Sequence, residues 1–434
     1  MKMLKLSLVI ILFVAANLNA QTPYPAGPQQ KPVLINGATI HVGNGQVVEN
    51  GTLAFEAGKL TYVGPSAGAP ADKSKYDVID ASGKQIYPGF IMPNSQLGLE
   101  EISSVRATID FSEHGDFNPN VRSLISYNTD SEIIPTYRFN GILLAEASPR
   151  GGVISGTSSV MQLEGWNWED AAYSKDVAIH LNWPGMQKRR FDFETFTLVS
   201  EANPDYAKNI EEINLFFNDA ISYGKLSNKE VNLKMEAMQG LFSGSQALII
   251  HANMAKEIVD GVKFAQAHGI KRITVLADDQ ALKVAAFLKE NNIPVILPPV
   301  HSVPTRDDDA VDLPYELPSL LSKAGITFAL SHEGMLANGR NLPFYAGTAV
   351  AYGLDKEEAL KAITLNPAKI LGIDKTTGSL ETGKDATLFI SAGDALDFRG
   401  NKIIDAFIVG KHITLNSKQQ ELYDRFSKKY GHKK

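Results

Sequence analysis

At 434 residues, 44% hydrophobic and 21% charged, the chain is ordinary globular material, long enough for one large domain and a smaller one. It contains no cysteine, which excludes disulfide staples, thiolate metal sites and thiol nucleophiles and leaves His, Asp, Glu and hydroxyl groups for any chemistry. A net charge of -6 argues against nucleic acid as a partner, and Lys428, Lys429, Lys433 and Lys434 read as a solvated basic end.

Lys2 and Lys5 precede an unbroken apolar run over 6–16, followed by Asn17, Leu18, Asn19 and Ala20. The run is shorter than the roughly 20 residues of a membrane span. With small and polar residues at its end and Pro23, Pro25 and Pro28 beyond, it reads as a signal peptide over 1–20, cleaved before Gln21. The expected product carries no later membrane span and resides in the periplasm, with secretion as the lesser alternative.

Short strands are expected at 33–35, 39–42, 52–56, 59–63 and 78–80, separated by Asn36-Gly37, Asn44-Gly45, Asn50-Gly51 and Ala57-Gly58, which supply the positive φ that tight hairpins need. The same texture returns at 386–391, 403–409 and 412–415. Neither end makes a convincing sheet alone, so residues 21–87 and 373–416 are expected to complete one β-sandwich, with 417–434 as a helical tail.

Between them, over 88–372, the rhythm changes. Apolar strands at 248–250, 273–276, 294–297 and 326–330 alternate with amphipathic helices at 254–267, ending at His268-Gly269, and at 280–290, with Asp278 or Asp279 placed as its cap. Strands alternating with helices predict an α/β fold, a (β/α)8 barrel inserted in the sandwich, whose site lies where the strands end.

Three segments carry a resemblance. Tyr87-Pro88-Gly89-Phe90-Ile91, after Asp80-Ala81-Ser82-Gly83-Lys84, resembles the Pro-Gly-[Leu/Phe]-Ile-Asp-x-His-x-His stretch that opens strand one of amidohydrolases. The second runs from Gly353-Leu354 through Glu357-Glu358-Ala359-Leu360 to Thr364-Leu365-Asn366-Pro367-Ala368-Lys369-Ile370-Leu371-Gly372. The third is Gly378-Ser379-Leu380-Glu381-x-Gly383-Lys384-Asp385-Ala386. Their order and spacing are similar to those of the amidohydrolase superfamily, on its imidazolonepropionase-like branch, across most of the mature chain.

The resemblance implies a hydrolase of non-peptide carbon–nitrogen bonds, in amides or cyclic amides, in which one or two divalent metals activate water. The family's ligands are two histidines after strand one, a carboxylate or carbamylated lysine on strand four, histidines after strands five and six, and an aspartate after strand eight. Here Asn94-Ser95-Gln96 stands for His-x-His, Met92 for the preceding Asp, and Ala277-Asp278-Asp279 for the strand-six His-Gly. Strand five keeps His251 in Ile249-Ile250-His251-Ala252-Asn253, and Ser331-His332-Glu333 puts Glu333 near the aspartate's place. Glu164, after Val160-Met161-Gln162-Leu163, stands for the strand-four carboxylate. The implied catalytic residues are therefore Glu333 and His251, the substrate-binding ones Asn94, Gln96 and His332. The implied cofactor is one divalent metal, zinc by family, on His251 and Glu333, or none. His251 is equally readable as a hydrogen-bonded histidine of the fold.

Other motifs are weaker. His332-Glu333 lacks the second histidine of a zinc protease helix, position 336 being Leu, and Gly151 to Gly156 has P-loop spacing with Thr157 where lysine must stand. Residues 149–156 read better as a loop over the barrel mouth. Asp307-Asp308-Asp309 reads as a solvated loop, and Trp166, Trp168 and Trp183 as core or a pocket wall. Two readings stay open: a hydrolase of a small-molecule amide, or a catalytically inactive relative that binds a small molecule or partners an active paralogue or a second copy of itself.

Overall fold

The computed structural model describes residues 24–432 apart from 195, 305 and 307. The signal segment, the boundary at Gln21, Asp307, Lys433 and Lys434 lie outside the described residues.

Both chain ends build one eight-stranded sheet. The N-terminal part supplies β1 (Val33–His41), β2 (Val47–Glu56), β3 (Lys59–Pro65), β4 (Asp77–Asp80) and β5 (Gln85–Pro88). β1 serves two neighbours on one edge, pairing β4 through Val33 to Asn36 and β5 through Thr39 and Ile40. The sheet folds over on itself: Phe55 of β2 meets Phe407 of the C-terminal strands edge to face, ring centroids 5.1 Å apart, inside a core with Ile35, Leu53 and Leu388.

The second eight-stranded sheet is the barrel. It runs from β6 (Phe90–Ser95), β7 (Ile142–Ala147), β8 (Ile154–Gln162) and β9 (Ala172–Asn182), past a separate hairpin of β10 (Gln187–Asp192) and β11 (Thr197–Ala202), to β12 (Ala247–His251), β13 (Ile273–Leu276), β14 (Val295–Leu297) and β15 (Phe328–Leu330). β6, β7 and β13 are wholly buried, as parallel strands covered by helices must be. The gap between β15 and β6 is bridged by backbone bonds from Ile91 to Ile363 (2.8 Å) and from Leu330 to Ala362 (2.9 Å). The chain then returns to the first sheet through β16 (Leu388–Ser391), β17 (Ile403–Ile408) and β18 (Lys411–Ile413), β16 lying against β5. A last helix, Lys418–Tyr430, lies outside both cores.

One departure from strict strand–helix alternation matters for the site. β8 runs antiparallel to both β7 and β9, so it carries no crossover helix and its C-terminal end points to the opposite side from its neighbours' ends. A second departure is local: the expected helix at 280–290 divides into Gln280–Lys283 and Ala285–Glu290 at Val284 (φ -119°, ψ 22°), and Asp278, not Asp279, accepts from the Gln280 backbone N–H.

The Pro-Gly junction between the sheets has a steric reason. A Cβ on Gly89 would lie 2.8 Å from Thr387 Cγ2 and 3.0 Å from Leu143 Cβ, where the sandwich crosses the barrel wall. Tyr87 beside it stacks on His41 and on Phe389, and His41 pairs with Glu357 of the barrel at 2.7 Å.

Candidate active site

The parallel barrel strands end on one face, and the side chains there form a connected polar chain. Asn94 at the end of β6 has φ +51°, a left-handed conformation that Asn tolerates better than most residues, and the register with β7 breaks between Met92 and Ser95. Simple strand alternation therefore does not run through 94 to 96. The Asn94 backbone N–H donates to Glu146 Oε2 (2.7 Å) and its side-chain Nδ2 to Glu333 Oε1 (3.3 Å).

Glu146, near the end of β7, is wholly buried and also accepts from Ser158 Oγ (2.6 Å) and His180 Nε2 (3.1 Å). Burial pushes its carboxyl up, but the bonds from His180, Ser158 and Asn94 together hold it below the ordinary glutamate range. His180, near the end of β9, contacts His251 of β12 through Nδ1, 3.0 Å from His251 Nε2. A neutral pair has one consistent assignment: His180 donates through Nε2 to the carboxylate, its Nδ1 accepts from His251 Nε2–H, and His251 keeps Nδ1 as its basic nitrogen. Burial, then the neighbouring His180 and Arg150, holds His251 well below the ordinary histidine value, so it is neutral at pH 7.

Neither Glu146 nor His180 was singled out from sequence. Both sit at the ends of apolar runs, Ile142-Leu143-Leu144-Ala145-Glu146 and Val177-Ala178-Ile179-His180, which was the available signal. His180 occupies the strand-four position. Glu164, guessed for that role, pairs with Arg138 and accepts from the Ala26 N–H. The antiparallel β8 carries it away from the mouth, since the adjacent Leu163 bonds to Leu143 at the start of β7.

Glu333 follows β15, its side chain 37% exposed, with Arg150 Nη2 3.7 Å from Oε1. Arg150 comes from the loop between β7 and β8, within the segment read as a mouth loop, of which 154–156 begin β8. His332 turns away from this group: Nδ1 meets the Tyr345 hydroxyl and Nε2 the Met335 carbonyl, both at 2.9 Å, and burial lowers its pKa. Gln96 is buried, its Nε2 without a hydrogen-bond partner. Trp183 is packed on Phe264 in the core while Trp166 is exposed, so the tryptophans do not form a shared wall. Beside Glu333 a cavity of about 260 Å³ opens between the ends of β12, β13 and β14. Leu276, Leu297, Val300 and Leu317 form its apolar wall, and Asp278, Asp279 and Glu333 are its carboxylates.

The donors at the mouth do not fit the family's metal. Both nitrogens of His180 and the Nε2 of His251 are committed to one another and to Glu146. The carboxylate of Glu146 is occupied by three protein donors, and Arg150 places a fixed positive charge beside Glu333. Among the described residues no three His, Asp or Glu side chains converge as a cation needs.

A barrel of parallel strands with one reversed member, joined to a sandwich from both chain ends and carrying His and carboxylate groups at the strand ends, defines the architectural class. The amidohydrolase family profile matches residues 232–414. The imidazolonepropionase of Hyphomonas neptunium is 24% identical over 79% of this chain and 88% of its own length, and that of Phocaeicola vulgatus 23% over 79% and 85%. The crystal structure of an amidohydrolase from Thermotoga maritima superposes with a TM-score of 0.74 at 23% identity, covering 88% of this chain and 99% of that one. In sequence and fold the chain is thus similar to the amidohydrolase superfamily, on its imidazolonepropionase-like branch.

Proposed function

We propose that the chain is an exported hydrolase of carbon–nitrogen bonds in small amides or cyclic amides, working at the barrel mouth with its own acid–base groups in place of a bound zinc. The observation that carries this reading is the continuous relay Glu146–His180–His251, joined through Asn94 to Glu333, which lines the adjoining cavity. Glu333 takes a proton from water, the water oxygen adds to the carbonyl carbon, and the carbon–nitrogen bond breaks as the departing nitrogen takes up that proton. Neutral His251 passes the proton, and Glu146 offsets the charge that develops on the imidazoles. The imidazolone in the relatives' name supports the cyclic side of the substrate class. Export rests on the basic and apolar start of the sequence.

A second reading, a small-molecule-binding module or partner of an active paralogue, draws on the saturation of the mouth's donors by one another. One experiment separates the two. Protein treated with EDTA is given hydantoins, N-acyl amino acids and dipeptides. The hydrolase reading expects turnover above the blank, lost in Glu333→Gln and strongly reduced in His251→Ala. Tight binding with no turnover of any of them decides for the binding module.

A further inference from the structure

Among the described residues, Arg150 Nη2 and Asn94 Oδ1, like Gln96 Nε2 and Ser148 Oγ near them, are hidden from water and left without a hydrogen-bond partner by the protein. Such atoms are costly to bury unless something else meets them. Arg150 is held by its backbone N–H on Phe111 O (2.8 Å), and its nearest counter-charge, Glu333 Oε1, lies 3.7 Å away, beyond hydrogen-bond reach. Asn94 is wholly buried, and its orientation is set by Glu333: Nδ2 donates to Oε1 at 3.3 Å, since a flipped amide would face oxygen with carboxylate. Oδ1 is therefore a true open acceptor. The two open atoms belong to groups that flank the same Glu333 oxygen, one a cationic donor and the other a neutral acceptor.

We infer that Arg150 and Asn94 form a ligand subsite for a carboxylate-bearing amide of the N-acyl amino acid type, the carboxylate meeting Arg150 Nη2 and the adjacent amide N–H meeting Asn94 Oδ1. A guanidinium nitrogen carries two N–H bonds, so the approach of Glu333 on one side leaves the other free for a carboxylate. Asp278 and Asp279 repel an anion from the far side of the cavity, which favours the carboxylate on the Arg150 side and leaves the apolar wall to the acyl group. The inference rests on the mouth being the ligand site and does not require turnover.

The test is calorimetric titration of the full chain, in EDTA, with N-acetyl-L-alanine, with its C-terminal amide and with acetate. N-acetyl-L-alanine should bind about tenfold or more tightly than either probe lacking one of its two groups. Arg150→Gln should abolish its advantage over the C-terminal amide, Arg150→Lys should restore part of it, and the thermal midpoint of the free protein should not fall in either variant. Equal binding of acid and amide, an unchanged preference in Arg150→Gln, or no binding at millimolar concentration overturns the subsite. Binding with no hydrolysis leaves the subsite standing and refutes the hydrolase reading alone.

Discussion

Glu146→Ala is the most informative perturbation of the interior. The substitution strands three donors in a region with no water access: the Asn94 N–H, the Ser158 hydroxyl and the His180 Nε2–H. Hydrogen bonds to a charged acceptor contribute about 1.5–3 kcal/mol each, and the cost of burying the carboxylate itself is relieved, so the net loss should be about 3–5 kcal/mol. That is a large part of the roughly 5–15 kcal/mol by which a domain is stable. Glu146→Gln, which keeps the volume and one acceptor oxygen, should lose less. The assay is urea unfolding followed by the fluorescence of Trp183, buried against Phe264, with an unchanged slope confirming that only stability moved. The pH dependence gives an independent check. The folded carboxyl titrates below its ordinary 4.5, so its contribution is full above that value and is lost as pH falls through the lower, folded one. Glu146→Ala should lack that limb. A loss under about 1 kcal/mol, with the acid limb intact, would refute the view that the polar chain is held by this carboxylate.

His251 is held neutral in the fold but protonates near 6.5 once unfolded, so stability should fall as pH drops from about 7 to about 5. Thermal melts across that range should be flatter for His251→Asn; parallel curves would count against the assignment. Gly156 has φ +144°, and a Cβ there would sit 2.5 Å from the Val121 carbonyl oxygen, so Gly156→Ala should cost at least about 1–3 kcal/mol in urea unfolding. The purified protein should hold less than stoichiometric zinc by elemental analysis, whereas full occupancy abolished by His251→Ala would reinstate a metal site. N-terminal sequencing of protein from the native host should begin at Gln21; an intact Met1 would rule out the cleavage.

Strand and barrel character were readable because both depend on local pattern: apolar runs of strand length, hairpin Asn-Gly pairs, and a helix from Ala255 to Ala267 that ends at His268-Gly269. The site was readable only in part. Asn94, His251 and Glu333 lie just after apolar runs; Asn94 bonds to Glu333, while His251 bonds to His180. Glu146 and His180 close apolar runs but still lie inside their strands, so a search just beyond the strand ends passes over them. His332 was misleading because its neighbour, not its own ring, faces the group. Glu164 was misplaced through the reversal of β8, since strand direction is set by long-range pairing that no local motif announces. Arg150 was passed over inside a glycine-rich loop that resembled other things.

The reversal of β8 has a consequence for how the molecule assembles. β7, β8 and β9 form an antiparallel meander, and Glu146 and His180 at its two ends are only 34 positions apart in sequence. Pairing of neighbouring strands needs short loops to close, whereas the parallel strands each wait on a long crossover. The carboxylate, the Ser158 hydroxyl and the first imidazole can thus be brought together within one local folding unit before the barrel is complete, and His251 docks onto a partner already in place. Slow closure between β15 and β6 would then govern when the mouth acquires its remaining groups, Asn94 and Glu333, and with them its ability to hold a ligand.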